Sequence, residues 1–91
     1  MHHEQTNEEI KNEIKQIIAR ITRIDISEMK DHVLIREELG IDSLLAMEIL
    51  ATCENHLGIQ IDETLFAGVQ DIGQFFSLLL NLYHEKKMTS E

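Results

Sequence analysis

The chain has 91 residues, which suffices for one domain with one modest hydrophobic core rather than two. It carries 17 acidic and 8 basic side chains, so its formal net charge is −9. Negative charge on this scale repels nucleic acids and anionic membranes and favours partners with basic patches, although it also suits a domain that merely needs to stay soluble.

The first predicted element is a helix that follows a short polar lead at residues 1–6. Thr6, with Glu9 three positions later, matches a capping box, in which each side chain bonds a backbone N–H group at the helix start. The pattern predicts a helix from about Asn7 to Arg23. Isoleucines recur in it at spacings of three and four within an arc of about 120°, which predicts one core-facing stripe. The stripe consists of Ile10, Ile14, Ile17, Ile18, Ile21 and Ile24.

A long connection from Asp25 to Ile41 separates this helix from the next one. A loop of this length is unusual inside a compact domain, so we expect it to have apolar anchors and a short helical turn of its own. The second helix is predicted from Ser43 to about Leu57, with Gly58 as its stop signal.

Two more helices complete the predicted fold. A short helix of one or two turns is expected at Asp62–Ala67, with Asp62 as its N-cap. The last helix is expected from Ile72 to about Tyr83, because Asp71 and Gln74 form a capping signal just before an apolar run. No segment of any length alternates as a strand does.

These elements predict an all-α fold class: a small four-helix bundle with three longer helices and one short third helix. Residues 7–84 would form the domain, between a flexible lead at 1–6 and a flexible polar tail at 85–91. Near the N-terminus, His2 and His3 are adjacent but lack a defined ligand geometry, so no metal site is predicted.

The second helix carries two apolar faces, whereas a helix in a small bundle needs to bury only one. The core stripe consists of Ala46, Ile49, Leu50, Cys53 and Leu57. The second stripe consists of Leu44, Met47 and Ala51, with the acids Asp42, Glu48 and Glu54 nearby. No Lys or Arg occurs between Arg36 and Lys86. An apolar stripe edged by acids is a candidate docking surface, and the alternative is a central helix that buries both stripes.

Ser43 stands at the start of this helix, next to Asp42. Taken alone, a serine in this place is most simply a helix cap. The position also suits an attached phosphodiester, because the phosphate would lie near free backbone N–H groups and the positive end of the helix dipole. A hydrolase nucleophile is not indicated, since no G-x-S-x-G motif surrounds Ser43 and His56 falls on another side of the helix. No catalytic residue is therefore assigned.

A family resemblance appears at this serine. The six residues LGIDSL at 39–44 resemble the L-G-x-D-S-L signature of the acyl carrier protein family. The later segments are similar too, in order and in spacing: AMEI at 46–49, LGIQID at 57–62 and VQDI at 69–72. The resemblance covers about residues 7–84.

The resemblance implies a carrier function centred on Ser43. A phosphopantetheinyl transferase would attach 4′-phosphopantetheine from coenzyme A to its hydroxyl, with Asp42 and Leu44 flanking the site. The protein would perform no catalysis and, as a monomer, would hold acyl groups as thioesters for acyl-loading and acyl-processing enzymes of fatty acid, polyketide or related lipid biosynthesis. Such enzymes are expected to dock through basic patches. The docking residues would be Leu44, Met47, Glu48, Ala51 and Glu54.

Several positions depart from the family pattern. Leu45 stands where carriers of fatty acid synthesis commonly have an acid, and Asp62 occupies the usual proline position. The run LAME at 45–48 looks closer to polyketide-type carriers, so a dedicated carrier for one pathway is at least as well supported as a housekeeping one. Two alternatives stay open: a carrier of aminoacyl or peptidyl groups, and a helical interaction module in which Ser43 only caps a helix.

Cys53 is the only cysteine, so no intramolecular disulfide is possible, and its place in the core stripe predicts a buried filler. The sequence shows no signal-peptide pattern. No apolar run approaches the roughly 20 residues that span a bilayer, so no membrane insertion is expected. The expectation is a soluble cytoplasmic protein.

Overall fold

The computed structural model describes residues 5–89 and consists of helices and loops. Its α-helices are α1 (Asn7–Thr22), α2 (Ser43–Leu57), α3 (Glu63–Ala67) and α4 (Ile72–Thr89). Within the described residues, β-type pairing is limited to one isolated bridge between Leu34 and Asp71. The predicted all-α bundle with three longer helices and a short third helix is confirmed.

The isoleucine stripe of α1 forms one wall of the core. Its four most buried members are Ile10, Ile14, Ile17 and Ile18. Ile21 and Ile24 are partly buried against the same core. Both bonds of the predicted capping box are present, since the Glu9 N–H donates to Thr6 Oγ1 over 3.1 Å and the Thr6 N–H donates to Glu9 Oε1 over 2.8 Å. The sequence pattern of α1 is thus realised at its start and along its length.

Two histidine contacts join the helices near the beginning of α1. His56 Nε2 lies 2.7 Å from Glu13 Oε1 and ties α2 to α1. His84 Nε2 lies 2.8 Å from Asn7 Oδ1 and ties α4 to α1. The C-terminal ends of α2 and α4 therefore lie beside the first half of α1, and Ser43, at the start of α2, lies toward the other end of the bundle.

The long connection between α1 and α2 packs through its own turn and anchors. A 3-10 turn forms at Ile26–Glu28, in agreement with the expected short helical turn. Beyond it, Met29, Ile35 and Ile41 are buried in the core. These three anchors explain how a loop of this length stays compact.

The same connection lies along the start of α4. The Ile35 N–H donates to the Gln70 carbonyl over 2.9 Å, and the Gly73 N–H donates to the Asp31 carbonyl over 2.8 Å. A Cβ atom at Gly73 would lie 3.1 Å from both Cβ and the carbonyl oxygen of Asp31, so the absent side chain permits this close approach. The connection that leads to Ser43 is thereby held against a long helix.

The last helix is longer than the sequence predicts. The apolar pattern predicts an end near Tyr83 and a flexible tail from residue 85, whereas α4 continues to Thr89. The extension contains no Gly or Pro and is rich in Glu and Lys, which favour helix. The Lys87 ammonium lies 5.6 Å from the centre of the Tyr83 ring one turn earlier, and it also suits the negative end of the helix dipole.

Residues 1–4 and 90–91 lie outside the described part of the chain. The predicted lead therefore falls largely outside it, together with His2 and His3, as does the end of the predicted tail. Of the helices that the structure describes, none is both long and apolar enough to cross a membrane.

Candidate functional site

Ser43 is the first residue of α2, and it is exposed. Asp42 caps the helix: its Oδ1 accepts from the Leu45 N–H over 2.9 Å, and its carbonyl accepts from the Ala46 N–H over 2.9 Å. Within residues 5–89 the Ser43 side chain makes no hydrogen bond. The capping role that a serine could fill thus belongs to Asp42, and the Ser43 hydroxyl stays available.

The turn before α2 holds Ser43 on a defined backbone. Gly40 has a φ of 69°, in the left-handed region that favours glycine. Ile41 is only 3% exposed, and its N–H donates to the Ile35 carbonyl over 3.1 Å. Because Ile41 is anchored in the core and Asp42 is bonded to α2, the backbone of Ser43 is fixed from both sides while its hydroxyl is presented outward.

The start of α2 suits a phosphodiester. The first N–H groups of an α-helix have no intrahelical partner, and the helix dipole is positive there. The Asp42 carboxylate takes the N–H of Leu45, so the N–H groups of Ser43 and Leu44 remain for phosphate oxygens. The residues present therefore fit a phosphate-linked group on Ser43.

The histidine of α2 cannot activate Ser43. A nucleophilic serine needs a base within hydrogen-bond reach, but His56 lies 13 residues further along the helix, or about 20 Å at 1.5 Å per residue. His56 is also engaged by Glu13 on α1. In the described part of the chain, no group of three or more His, Cys, Asp or Glu side chains could hold a metal ion. His56 is therefore not placed to act as a base for Ser43.

The two apolar faces of α2 differ in burial. All members of the predicted core stripe are buried: Ala46, Ile49, Leu50, Cys53 and Leu57. The second stripe lies outside the core, with Leu44 80% exposed, Met47 48% exposed and Ala51 exposed. The alternative that α2 buries both stripes within this chain is therefore wrong. An exposed apolar stripe begins directly beside Ser43.

The three acids near this stripe differ in their surroundings. Asp42 is exposed but caps α2. Glu48 is exposed, and its carboxylate makes no hydrogen bond or ion pair within residues 5–89. Glu54 is half-buried, and its Oε2 accepts from the Ile61 N–H over 2.6 Å. The helical wheel predicts the side of α2 on which Glu54 lies but not this bond to a residue seven positions later.

A groove with a volume of about 210 Å³ opens beside the first turns of α2. Its lining consists of Ile35, Arg36, Glu37, Ile41, Ala46, Phe66, Ala67, Val69 and Gln70. Further inward, where Ile18, Ile49 and Phe75 meet, the free space shrinks to about 10 Å³, so the interior is closely packed. Sequence reasoning predicts an apolar interior but misses this lining, because the connection, α2 and the α3 region are far apart along the chain.

Cys53 is fully buried, and desolvation raises the pKa of its thiol from 9.0 to about 12. Only the thiolate reacts. Well below pH 9, the thiolate fraction of the buried Cys53 is therefore about a thousandfold lower than that of a thiol with the unshifted pKa of 9.0. We expect the folded protein at pH 8 to react with an aromatic disulfide reagent at least about a hundredfold more slowly than the guanidinium-unfolded chain. The absorbance of the released aromatic thiolate measures both rates. Equal rates would contradict the assignment of Cys53 as a buried filler.

Most of the chain matches one family model. A family model described as the phosphopantetheine attachment site matches residues 12–79, a stretch that contains the whole of α2. The all-α fold and this match together define a phosphopantetheine-binding carrier domain. The cofactor of this class is 4′-phosphopantetheine, attached covalently.

Curated relatives narrow the class. The chain is 31% identical over 80 residues to an acyl carrier protein of Rhodococcus erythropolis, with 88% of each chain covered. It is 31% identical over 86 residues to a meromycolate extension acyl carrier protein of Mycobacterium leprae, which covers 94% of this chain and 75% of that one. It is 26% identical over 69 residues to polyketide-8 synthase acyl carrier protein 2 of Streptomyces avermitilis, with 76% and 79% covered. The chain belongs to the acyl carrier protein family.

Proposed function

We propose that Ser43 bears the phosphopantetheine arm and that the protein presents acyl groups to enzymes of fatty acid or polyketide synthesis. The observation that supports this most is the exposed Ser43 hydroxyl: Asp42 caps α2 in its place, and among residues 5–89 the hydroxyl makes no hydrogen bond. When bound, the arm supplies a terminal thiol that holds an acyl group as a thioester. The similar proteins are named as acyl carriers, which favours acyl cargo over aminoacyl or peptidyl cargo.

Intact-mass measurement tests the proposal. The protein is incubated with coenzyme A and a broad-specificity phosphopantetheinyl transferase, and we expect a gain of one phosphopantetheine group. Peptide mapping is then expected to place the group on Ser43. A chain that gains no mass would instead be a helical interaction module without an arm, and a gain on another residue would overturn the assignment to Ser43.

The contribution of the protein is tethering rather than chemistry. An arm of limited length keeps its cargo at a high effective concentration for any enzyme that docks on the carrier. Catalysis is left to the partners, because His56 is held by Glu13 at the far end of α2 from Ser43. We infer a monomer that works in the cytoplasm, a reducing setting that suits a chain whose single cysteine can form no intramolecular disulfide.

The partner enzymes would dock on the exposed stripe of α2. Leu44, Met47 and Ala51 offer an apolar surface beside the modified serine. Asp42 and Glu48 are the exposed acids nearest to it in the chain, and no Lys or Arg occurs between residues 36 and 86. This charge pattern fits a transferase and acyl-processing enzymes that carry basic patches around an apolar contact.

A long acyl group on the arm is expected to enter the groove and the aliphatic interior behind it. Methyl resonances of Ile49, Leu50 and Leu79 should then shift between the bare-arm and acyl-loaded forms. Shifts should be larger at Ile41, which lines the groove, because the packed interior must open by more than its present 10 Å³. Two-dimensional methyl NMR of the two forms measures this.

The methyl group of Met88 serves as the internal control, since it lies near the end of α4 and is 83% exposed. It should not respond to the cargo. Identical spectra for the two forms would show that the acyl group stays in solvent.

A further inference from the structure

The short helix α3 is weakly held by its own side chains. None of its residues is fully buried, and Leu65 is 49% exposed. Its main apolar contact is Phe66, whose ring meets that of Phe75 edge-to-face at a centroid distance of 5.8 Å. A five-residue helix also has little intrinsic stability. The position of α3 must therefore depend on the segments that flank it.

The segment before α3 has two core residues, Ile59 and Ile61, and it is also hydrogen-bonded to Glu54 near the end of α2. The Glu54 carbonyl accepts from the N–H groups of Gly58 and Ile59 over 2.8 and 3.1 Å, as the chain reverses through Gly58 at a φ of 68°. The Glu54 carboxylate then reaches two residues beyond Ile59 and accepts from the Ile61 N–H over 2.6 Å. Backbone and side chain of Glu54 thus bond three N–H groups between the end of α2 and the start of α3.

The bond between the Glu54 carboxylate and the Ile61 N–H lies in a partly buried position, where a hydrogen bond stabilises the structure more than it would in water. Glu54 is half-buried, and Ile61 is only 9% exposed, so water competes poorly for the N–H. A hydrogen bond from a backbone N–H to a carboxylate is about twice as strong as one between neutral groups. Without it, the Ile61 N–H would lose its partner in a largely buried position, which is costly. The exposed Glu48 has no comparable bond within residues 5–89.

We propose that Glu54 is a positioning residue: its carboxylate bond to the Ile61 N–H, here called the latch, holds the segment between α2 and α3. The latch thereby positions α3 as one wall of the groove. Phe66 and Ala67 of α3 line that groove opposite Ala46 of α2, so any loosening at Ile61 changes the space offered to cargo. This inference rests on the proposed carrier function for its use and departs from the sequence-based interpretation, which counts Glu54 among the docking acids.

Four variants separate the two roles. Glu54→Gln removes the charge but keeps an oxygen that can accept from the Ile61 N–H, whereas Glu54→Ala removes both. Glu48→Gln and Glu48→Ala make the same changes at an exposed acid of the same helix. Three measurements follow: amide hydrogen exchange of the protein without the arm, the transferase rate, and the hydroxylamine cleavage rate of a loaded acyl thioester.

For the positioning role, we expect Glu54→Ala to speed exchange of the Ile61 amide at least about tenfold, while Glu54→Gln stays within about threefold of the unaltered protein. Thioester cleavage should be faster in Glu54→Ala and little changed in Glu54→Gln. Transferase rates should stay within about twofold for both Glu54 variants, and the Glu48 variants should leave Ile61 exchange unchanged.

Four outcomes would overturn the inference. Ile61 exchange that ignores Glu54→Ala would exclude the latch, and cleavage rates that ignore it would exclude an effect on the groove. Equal loss of transferase rate in Glu54→Gln and Glu54→Ala would make Glu54 a docking acid after all. Faster exchange of the Ile14 amide in Glu54→Ala, to the same degree as Ile61, would show general loosening instead. Exchange is measured without the arm, so failure of the wild-type chain to be modified would count against the carrier function alone.

Discussion

Ser43→Ala is expected to abolish covalent loading by a phosphopantetheinyl transferase while leaving the fold intact. Loading needs a hydroxyl, and alanine offers none. The fold should tolerate the change because Asp42, not Ser43, caps α2, and because Ser43 is exposed and makes no side-chain hydrogen bond within the described residues. Surface changes of this kind usually alter the free energy of unfolding by about 0.5 kcal/mol or less. Intact mass and circular dichroism measure the two effects.

Ser77→Ala is the matched control, since Ser77 is also an exposed serine on a long helix. That variant should load as fast as the unaltered chain. Loading of Ser43→Ala at any comparable rate would place the arm elsewhere. A large loss of helicity in Ser43→Ala would mean that this serine supports the helix start after all.

The site could be predicted from sequence to the extent that it depends on local signals. Asp42, Ser43 and Gly58 mark the ends of α2, and the structure places its helix between the same residues. Caps and a period of 3.6 residues act within one or two turns, so they can be read along the chain. The exposed second stripe follows from the same periodicity.

The groove and the latch depend on contacts between distant segments, which periodicity does not encode. Phe66 approaches Ala46 only after the chain has reversed through Gly58, and the bond from Ile61 to Glu54 depends on that reversal. The late end of α4 has a different cause. The apolar pattern of α4 ends near Tyr83. High helix propensity and the Lys87 ammonium over the Tyr83 ring stabilise the helix beyond that point, as far as Thr89.

Met47→Glu is expected to lower the kcat/KM of phosphopantetheinyl transfer at least about tenfold, which corresponds to about 1.4 kcal/mol of lost docking free energy. Met47 is 48% exposed, one helical turn after Ser43, beside the 80% exposed Leu44. A carboxylate there would have to be desolvated against an apolar partner surface without a compensating bond. The fold should lose little, because Met47 lies outside the core of this chain. Steady-state transfer rates and thermal unfolding measure both.

Met88→Glu supplies the matched control. It makes the same change in charge at an 83% exposed methionine near the end of α4. Lys86 of that same terminal segment lies beside Gly58, just past the end of α2 that is remote from Ser43. A transferase that recognises the stripe beside Ser43 should therefore not distinguish Met88→Glu from the unaltered chain.

Glu48→Lys probes the electrostatic part of the same docking surface. Attraction between exposed charges acts mainly on the association rate and is screened over about 8 Å at physiological ionic strength, so this variant should be slowest relative to the unaltered chain at low salt. Met47→Glu should instead shorten the lifetime of the complex, because apolar contacts govern dissociation. Stopped-flow binding at several salt concentrations separates the two rates. Transfer and binding rates that ignore both substitutions and the ionic strength would remove the exposed stripe of α2 from the docking surface, and the acids around Ser43 would then serve only to keep the domain soluble.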